Sequence, residues 1–491
     1  MDDGAGVVGS PVHHDPHEGD AEGSETGMER TYDVVVIGGG PAGENVAGRA
    51  VEHGLEVALV EEELLGGECS YWACMPSKAL LRPTEALAAA RRLPSVEAAL
   101  TGTLDVAAVL RSRDAFTSHL DDTGQQQWVE GAGVTLERGR GRLAGERLVE
   151  VTRADGQRAT LTARRGVVVA TGSRAAWPPI PGLAESGAWD NRAATTTQEV
   201  PRRLVVLGGG VVGVELAQAF ARLGSEAVTV VEMADRLLPR EEPFAGEELA
   251  AALAGDGVDV RTGLRATAVE RAGPGAPVTL RLEGGGDVEA DELLVAVGRR
   301  PATDDLGLER VGLASGGFLP VDDRLVVDGV EGDWLLAVGD VNGRSLLTHT
   351  GKYQARIAAD LLADLPAIAW GDREATPRVV FTDPQVAAVG RTEAEAREAG
   401  LAVRTVRYGT GDVAGAALLG KGVAGTSQLV IDEDRDVILG ATFTGPGVGE
   451  LLHAATIAIV GEVSLDVLWH AVPAFPTVSE VWLRLLETDG R

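Results

Sequence analysis

The sequence predicts an α/β fold: two Rossmann-like dinucleotide-binding domains and a C-terminal α+β domain. A strand–glycine loop–helix–strand pattern occurs twice, at residues 33–61 and 204–232, and each copy ends in an acidic residue. From Thr376 the pattern changes to longer strands with helices grouped together, which reads as α+β. A length of 491 residues suits about three domains.

Residues 1–30 are acidic and glycine-rich and hold three of the eight histidines, so a disordered tail is expected. His13, His14 and His17 read as solvated residues of that tail. Asp33–Ile37 is a continuous β-branched run, the mark of a buried parallel strand. It enters Gly38-Gly39-Gly40-Pro41-Ala42-Gly43. There Gly38 permits the tight turn, Gly40 lets a pyrophosphate approach the backbone, and Gly43 allows close helix–strand packing. A helix to about His53 leads to the strand Glu56–Val60, whose end at Glu61 is placed to bind a ribose hydroxyl pair.

The next stretch, Gly66–Lys78 (GGECSYWACMPSK), holds both cysteines, Cys69 and Cys74. On a regular helix their spacing puts the Cα atoms roughly 8–9 Å apart, whereas a disulfide needs about 7 Å or less. A bonded pair therefore requires a broken turn. Gly66-Gly67 frees the backbone before Cys69, and Pro76 suits the first turn of a helix beginning near Cys74. Two unrelated buried thiols are the bland alternative. A dinucleotide unit a few residues upstream favours thiol–disulfide exchange coupled to a hydride carrier.

Residues 78–120 read as helices, and Gly131 to about Leu161 as a small β-meander. Gly166–Ala170 is another buried strand, running into Thr171-Gly172-Ser173, and Pro178, Pro179 and Pro181 mark a crossing between domains. The second unit is strand Leu204–Leu207, the loop Gly208-Gly209-Gly210-Val211-Val212-Gly213, a helix, and strand Ala227–Val231 ending at Glu232. A carboxylate there accepts from a free ribose 2′-OH and repels a 2′-phosphate, so NADH is expected over NADPH, with Arg236 the one nearby cation able to oppose it. Leu293–Gly298 closes this domain, Arg299-Arg300-Pro301 returns to the first, and Trp334–Asp340 is a further buried strand. The C-terminal unit includes strands 427–432 and 437–443, a helix from about Gly449, and the terminal stretch 470–486.

The net charge of −30 argues against a broad basic face for nucleic acid or anionic lipid. No apolar run approaches the ~18 residues of a membrane span. The N-terminus has neither a basic nor an apolar signal region, and two cysteines cannot form a disulfide scaffold, so a reducing cytoplasm is expected. Of the 44 basic residues only Lys78, Lys352 and Lys421 are lysine, which makes each one informative.

These residues carry a resemblance to the FAD-dependent pyridine nucleotide–disulfide oxidoreductases over roughly residues 31–491, nearest in look to the dihydrolipoamide dehydrogenase branch. GGECSYWACMPSK resembles the family's redox-disulfide motif. The two glycine loops, ATGS at 170–173, AVGRRP at 296–301, AVGD at 337–340 and TPRVVFTDPQVAAVG match in type and order. The resemblance implies a discontinuous FAD-binding domain at 31–176 and 299–373, an NAD(P)-binding domain at 177–298 and a dimerisation domain at 376–491. It implies Cys74 as the thiol against the flavin and Cys69 as the interchange thiol. Lys78 and Glu215 would pair near the flavin, Asp340 would bind its ribityl chain, and Glu61 its adenosine ribose. Thr171, Gly172 and Gly298 join the cofactor-binding set. The implied protein is a homodimer that passes two electrons from NAD(P)H through FAD and a Cys69–Cys74 disulfide to a small-molecule acceptor.

One element departs from the family. Its dehydrogenases place a histidine, paired with a glutamate, before Pro-Thr-x-Ser-Glu. Here Phe475 precedes that run and Glu480 ends it, and phenylalanine cannot move a proton. Lipoamide reduction would lose a factor of order 10²–10⁴. His470, His349 and His453 read as structural or surface residues. Between the cysteines, Ser70-Tyr71-Trp72-Ala73 replaces small residues, and either reshapes the acceptor site or packs on a neighbouring helix. The expected acceptor is a quinone, metal ion or unusual disulfide. Dihydrolipoyl dehydrogenase and a flavin-binding regulator without turnover are the alternatives.

Overall fold

Val34–Ile37, Val57–Val60 and Val167–Val169 carry no polar side chain, and in the computed structural model all are buried at the centre of one sheet. The structure describes residues 28–491, so the tail expected over 1–30 lies mostly outside the described residues. Its last three residues are a correction: the first strand begins at Met28, and Met28–Tyr32 pair in parallel with Ala159–Ala163 before a register shift at Tyr32/Val34. The parallel strands run in the order Thr135–Arg138, Val57–Glu61, Met28–Ile37, Arg158–Val169, Leu335–Ala337. The expected meander and the following strand are joined, since Arg158–Val169 pairs antiparallel with Leu148–Thr152 in its first half and lies among parallel strands in its second. Thr135–Arg138, read as part of the meander, is instead the parallel edge strand beside Val57–Glu61.

The second unit repeats this plan. Four parallel strands, Val258–Arg261, Ala227–Val231, Arg203–Leu207 and Glu292–Val295, stand in that order, with an antiparallel trio over residues 266–290 beside them. Ser173–Ala175 and Arg299–Pro301 pair antiparallel and carry the chain out to this unit and back. The third unit is a five-stranded antiparallel sheet covered by the Leu452–Val460 and Glu480–Thr488 helices around Phe443, Leu429 and Leu485.

The site is positioned by one helix, Cys74–Arg91. Its Leu80 and Leu81 share a core with Val214 and Leu216 of the second unit and Val380 and Val386 of the third. Its far end is tied down as well: Arg92 pairs with the buried Asp383, and its carbonyl accepts from the Lys421 amide. Among the described residues no helix is long and apolar enough to cross a membrane.

Candidate active site

Gly66 and Gly67 both adopt left-handed backbone (φ 100° and 54°), which turns the chain into a short helix, Gly67–Tyr71, carrying Cys69. The helix breaks at Trp72 and Ala73, and a new one starts at Cys74, the break that the cysteine spacing requires. Both cysteines are free thiols and partly exposed. Cys74 lies in the first turn, where the helix dipole favours an anion. Its thiol is pulled down to about 6, first by a hydrogen bond from Cys69, then by Thr348 and Lys78, against burial and Glu215. Cys69 moves upward by the same hydrogen bond and by burial. The pair shares one proton, and Cys69 holds it. Thr348 Oγ1 stands 3.5 Å from Cys74 Sγ.

Lys78, one turn along the same helix, donates to Glu215 Oε2 at 2.7 Å. Glu215 is 2 % exposed and also accepts from the Phe381 amide at 2.9 Å, so one carboxylate joins all three units. The Lys78 ammonium lies 4.8 Å from the Phe381 ring centre.

Between the cysteines the aromatic residues pack. Tyr71 is buried, and the Arg192 guanidinium lies 4.0 Å from the Trp72 ring centre. The Trp72 carbonyl accepts from Asn191 at 2.9 Å and Thr195 at 3.1 Å. Sequence reasoning passed over Glu68. Its carboxylate pairs with Arg192 and, at 3.2 Å, with Arg299, and accepts from Asn191 at 3.0 Å. Burial pushes Glu68 up, but Arg299 and Arg192 outweigh it and hold it low. Arg299 also bonds Ser173, whose hydroxyl donates to Asp340 at 2.5 Å. The one sequence signal was a charge set inside a turn of glycines and cysteines. Its partners lie more than 100 residues away.

An elongated cavity runs from Glu61 past Gly38, Gly40, Thr171, Gly172 and Asp340 to Cys69. Its glycines differ in purpose. A Cβ at Gly38 would fall 2.5 Å from the Ala170 carbonyl oxygen, and one at Gly43 would fall 1.9 Å from that of Gly38, while one at Gly40 meets nothing within 4 Å. The space above Gly40, at a helix N-terminus, fits a pyrophosphate. Glu61 accepts from the Gly39 and Glu63 amides, each at 2.6 Å, and burial raises it. Asp340 is raised by burial too. The residues present thus fit the flavin nucleotide that the resemblance implies.

The second loop copies the first. A Cβ at Gly208 would meet the Ala296 carbonyl oxygen at 2.4 Å, one at Gly213 that of Gly208 at 2.0 Å, and one at Gly210 nothing within 4 Å. Glu232 accepts from Gly209 at 2.6 Å and Ala234 at 2.7 Å. Arg236 is turned onto its own neighbours, Asp235 and the Pro239 carbonyl. Gly298 holds φ 130° where the chain leaves this unit.

Glu480 is not brought against the thiols within the chain. It is buried at the head of the C-terminal helix, where Oε1 accepts from Arg484 at 2.7 Å and Oε2 has no partner among the described residues. Phe475 is 75 % exposed, and His470 and His453 are exposed as well. His349 bonds the Pro377 carbonyl at 2.8 Å. No group of three His, Cys, Asp or Glu among the described residues is arranged to hold a metal.

A pyridine nucleotide-disulphide oxidoreductase family model matches residues 32–355, and that family's dimerisation-domain model matches residues 376–485. Dihydrolipoyl dehydrogenase 3 of Pseudomonas aeruginosa is 36% identical over 92% of this chain and 97% of its own length. A mercuric reductase of Streptomyces lividans is 34% identical over 89% of this chain and 93% of its own. Among solved structures, the Cu(II) complex of the HOCl-induced flavoprotein disulfide reductase RclA of Escherichia coli superposes with a TM-score of 0.81 at 26% identity, covering 93% of this chain and 99% of that one.

Proposed function

The chain belongs to the pyridine nucleotide-disulphide oxidoreductase family, and within it we propose an enzyme that takes an electron pair from NADH and delivers it through Cys74 and Cys69 to an acceptor other than lipoamide. The family uses FAD and NAD(P)H, and the chain is an NAD(P)H-dependent flavoprotein oxidoreductase, which sets aside a regulator without turnover. Gly38, Gly40, Gly43, Glu61, Thr171, Gly172 and Asp340 would hold FAD. Gly208, Gly210, Gly213, Glu232 and Gly298 would hold the nicotinamide nucleotide. FAD, when bound, supplies two-electron transfer between a nicotinamide and the dithiol. Cys74 keeps its sulfur anionic at neutral pH, Lys78 places a cation four residues on that Glu215 fixes, and Cys69 faces the acceptor.

The preference for NADH rests on Glu232, whose carboxylate occupies the ribose end of the second loop while Arg236 is engaged elsewhere. Steady-state kcat/KM should favour NADH, and a clear preference for NADPH would reverse this assignment. The dimerisation-domain match supports a homodimer. Two cysteines in 491 residues suit a reducing cytoplasm.

The observation that carries the choice of acceptor is Phe475, a side chain without a proton to give at the position where the family's dehydrogenases keep a base. A quinone, a metal ion or an unusual disulfide remains as acceptor. Purified protein should reduce a benzoquinone with NADH and turn over lipoamide slower by a factor of order 10²–10⁴. Lipoamide turnover matching the quinone rate would instead support dihydrolipoyl dehydrogenase. That second reading is favoured by near-full-length relatives bearing the name, among them the Pseudomonas aeruginosa protein.

A further inference from the structure

The break between the cysteines leaves a backbone group that no helix can satisfy. The Glu68 carbonyl accepts from both amides at the break, Trp72 at 2.9 Å and Ala73 at 2.7 Å, and the Ala73 carbonyl accepts from Ser77 at 3.2 Å. The Trp72 carbonyl has no such recourse. Its helical donor would come four residues on, at Pro76, which carries no N–H. A carbonyl so placed needs a donor from elsewhere in the fold.

The second unit supplies two. Trp189 pairs in parallel with Leu294 of that unit's sheet, donating to the Leu293 carbonyl at 2.7 Å and accepting from the Val295 amide at 2.8 Å. Asp190 then caps the short helix Asn191–Thr196 by accepting from the Ala193 amide at 3.0 Å. Asn191 and Thr195, four residues apart on one face, are 6 % and 1 % exposed. Both donate to the Trp72 carbonyl, at 2.9 Å and 3.1 Å. The same Asn191 nitrogen donates to Glu68 Oε2 at 3.0 Å, and its Oδ1 accepts from Arg299 at 3.3 Å. Turned the other way, the amide would set its oxygen against a carbonyl and a carboxylate, so only this orientation is satisfied. One nitrogen thus holds the residue before Cys69 and the residue two before Cys74. Arg192 of the same helix lies over the Trp72 ring and pairs with Glu68, which holds side chains as well as backbone.

We propose that Asn191, with Thr195 beside it, is a positioning residue that clamps the intercysteine turn in the shape from which the Cys69–Cys74 disulfide closes. The proposal rests on the reading of these cysteines as the working redox couple. A regular helix would hold the two residues too far apart to bond, and a broken turn has no hydrogen-bond ladder of its own to fix them. A frame rooted in another unit's sheet supplies that rigidity. Its consequence is a high effective concentration of one sulfur at the other. With glutathione disulfide as oxidant, Cys69 forms a mixed disulfide and one glutathione departs. The Cys74 thiolate then attacks Cys69 Sγ, the mixed S–S bond breaks, the second glutathione departs and the internal disulfide closes. The dithiol loses two electrons and glutathione disulfide gains them, leaving as one thiol and one thiolate. Removing the clamp should slow and weaken the closing step, so the internal disulfide becomes easier to reduce.

The test equilibrates holoenzyme anaerobically at a series of ratios of reduced to oxidised glutathione, followed by acid quenching, alkylation and mass spectrometry. Asn191→Leu, which keeps the side chain's size and removes its hydrogen bonds, should lower the equilibrium constant for closing the disulfide by about tenfold, about 30 mV for a two-electron couple. Glutathione should also accumulate on Cys69. Thr195→Val removes only the second donor to the Trp72 carbonyl and should shift the constant in the same direction by less; it serves as the deciding variant if Asn191→Leu does not fold. Flavin content should stay at the wild-type value in both. An unmoved constant in the folded variants would overturn the clamp. A fall that occurs only together with loss of flavin would overturn it too, because it would show general support of the fold. Wild type that forms no internal disulfide at any ratio would instead sink the reading of Cys69 and Cys74 as a couple, an outcome seen before any variant is made.

Discussion

Cys74 stays anionic because a hydrogen bond from Cys69, the Thr348 hydroxyl and the Lys78 charge all act on one sulfur, and together they exceed the cost of burying it. Its midpoint is depressed, so the thiolate is present above about pH 6 and is lost as the pH falls through that value. In the reduced protein the ultraviolet thiolate absorbance should titrate there. Cys69→Ala removes the largest contribution and should raise the midpoint, and an unmoved midpoint would mean that the helix terminus and Lys78 suffice. Phe475 poses the converse question. Phe475→His should raise the ratio of lipoamide to quinone turnover by up to about 10²-fold, with the unpartnered Oε2 of Glu480 available to orient the imidazole. A ratio that does not move would place the barrier in the pocket rather than in proton transfer. Cys69 and Cys74 were legible in the sequence because their residue type and spacing are themselves the signal, and the pairing of Lys78 with Glu215 only through the family resemblance. Glu68, Asn191, Arg192, Arg299 and Thr348 were not, since each acts through a partner that only the fold brings near.

At the scale of elements, the two glycine loops assign different work to glycines that look alike in sequence. Gly40→Ala adds a methyl group to open space, so flavin-free protein should keep its thermal stability while flavin retention falls. Gly43→Ala would drive a Cβ into the Gly38 carbonyl, so flavin-free protein should itself lose about 1–3 kcal/mol, typical of overpacking. Thermal unfolding of stripped protein alongside flavin content separates the two. Equal loss of stability in both variants would mean that the loop is a purely structural turn. The strands of both units were legible from their continuous apolar runs. The length of Arg158–Val169 was not, because one strand serves an antiparallel meander and a parallel core in succession, and its apolar spacing changes midway from alternating to continuous. The start at Met28 was hidden for a related reason: Met28–Arg30 are held by backbone pairing with Ala159–Leu161, which composition does not record.

At the scale of the whole molecule, the third unit leaves apolar side chains in the open. Ile457, Val460, Val467, Trp469, Val472 and Phe475 are between 38 % and 88 % exposed, all within one short stretch of chain. Grouped exposure of this kind marks an interaction surface, and residues 376–485 match a dimerisation domain. Two like chains each carrying −30 repel one another, so association must draw on apolar burial. Salt then acts in a definite direction. Screening over a Debye length of about 10 Å at 0.1 M weakens the repulsion and leaves the apolar contact intact, so the dimer should tighten from low to moderate ionic strength. Light scattering at micromolar concentration should give twice the mass of one chain. Val472→Asp, at the most exposed of these positions, should shift the protein toward monomer, and more so at low salt. If the face is the interface and brings Phe475 of one protomer to the thiols of the other, that shift should alter acceptor reduction as well, because Phe475 lies three residues from Val472. A monomer at micromolar concentration in moderate salt, or a Val472→Asp variant that stays dimeric, would place the contact elsewhere and remove Phe475 from the acceptor's path.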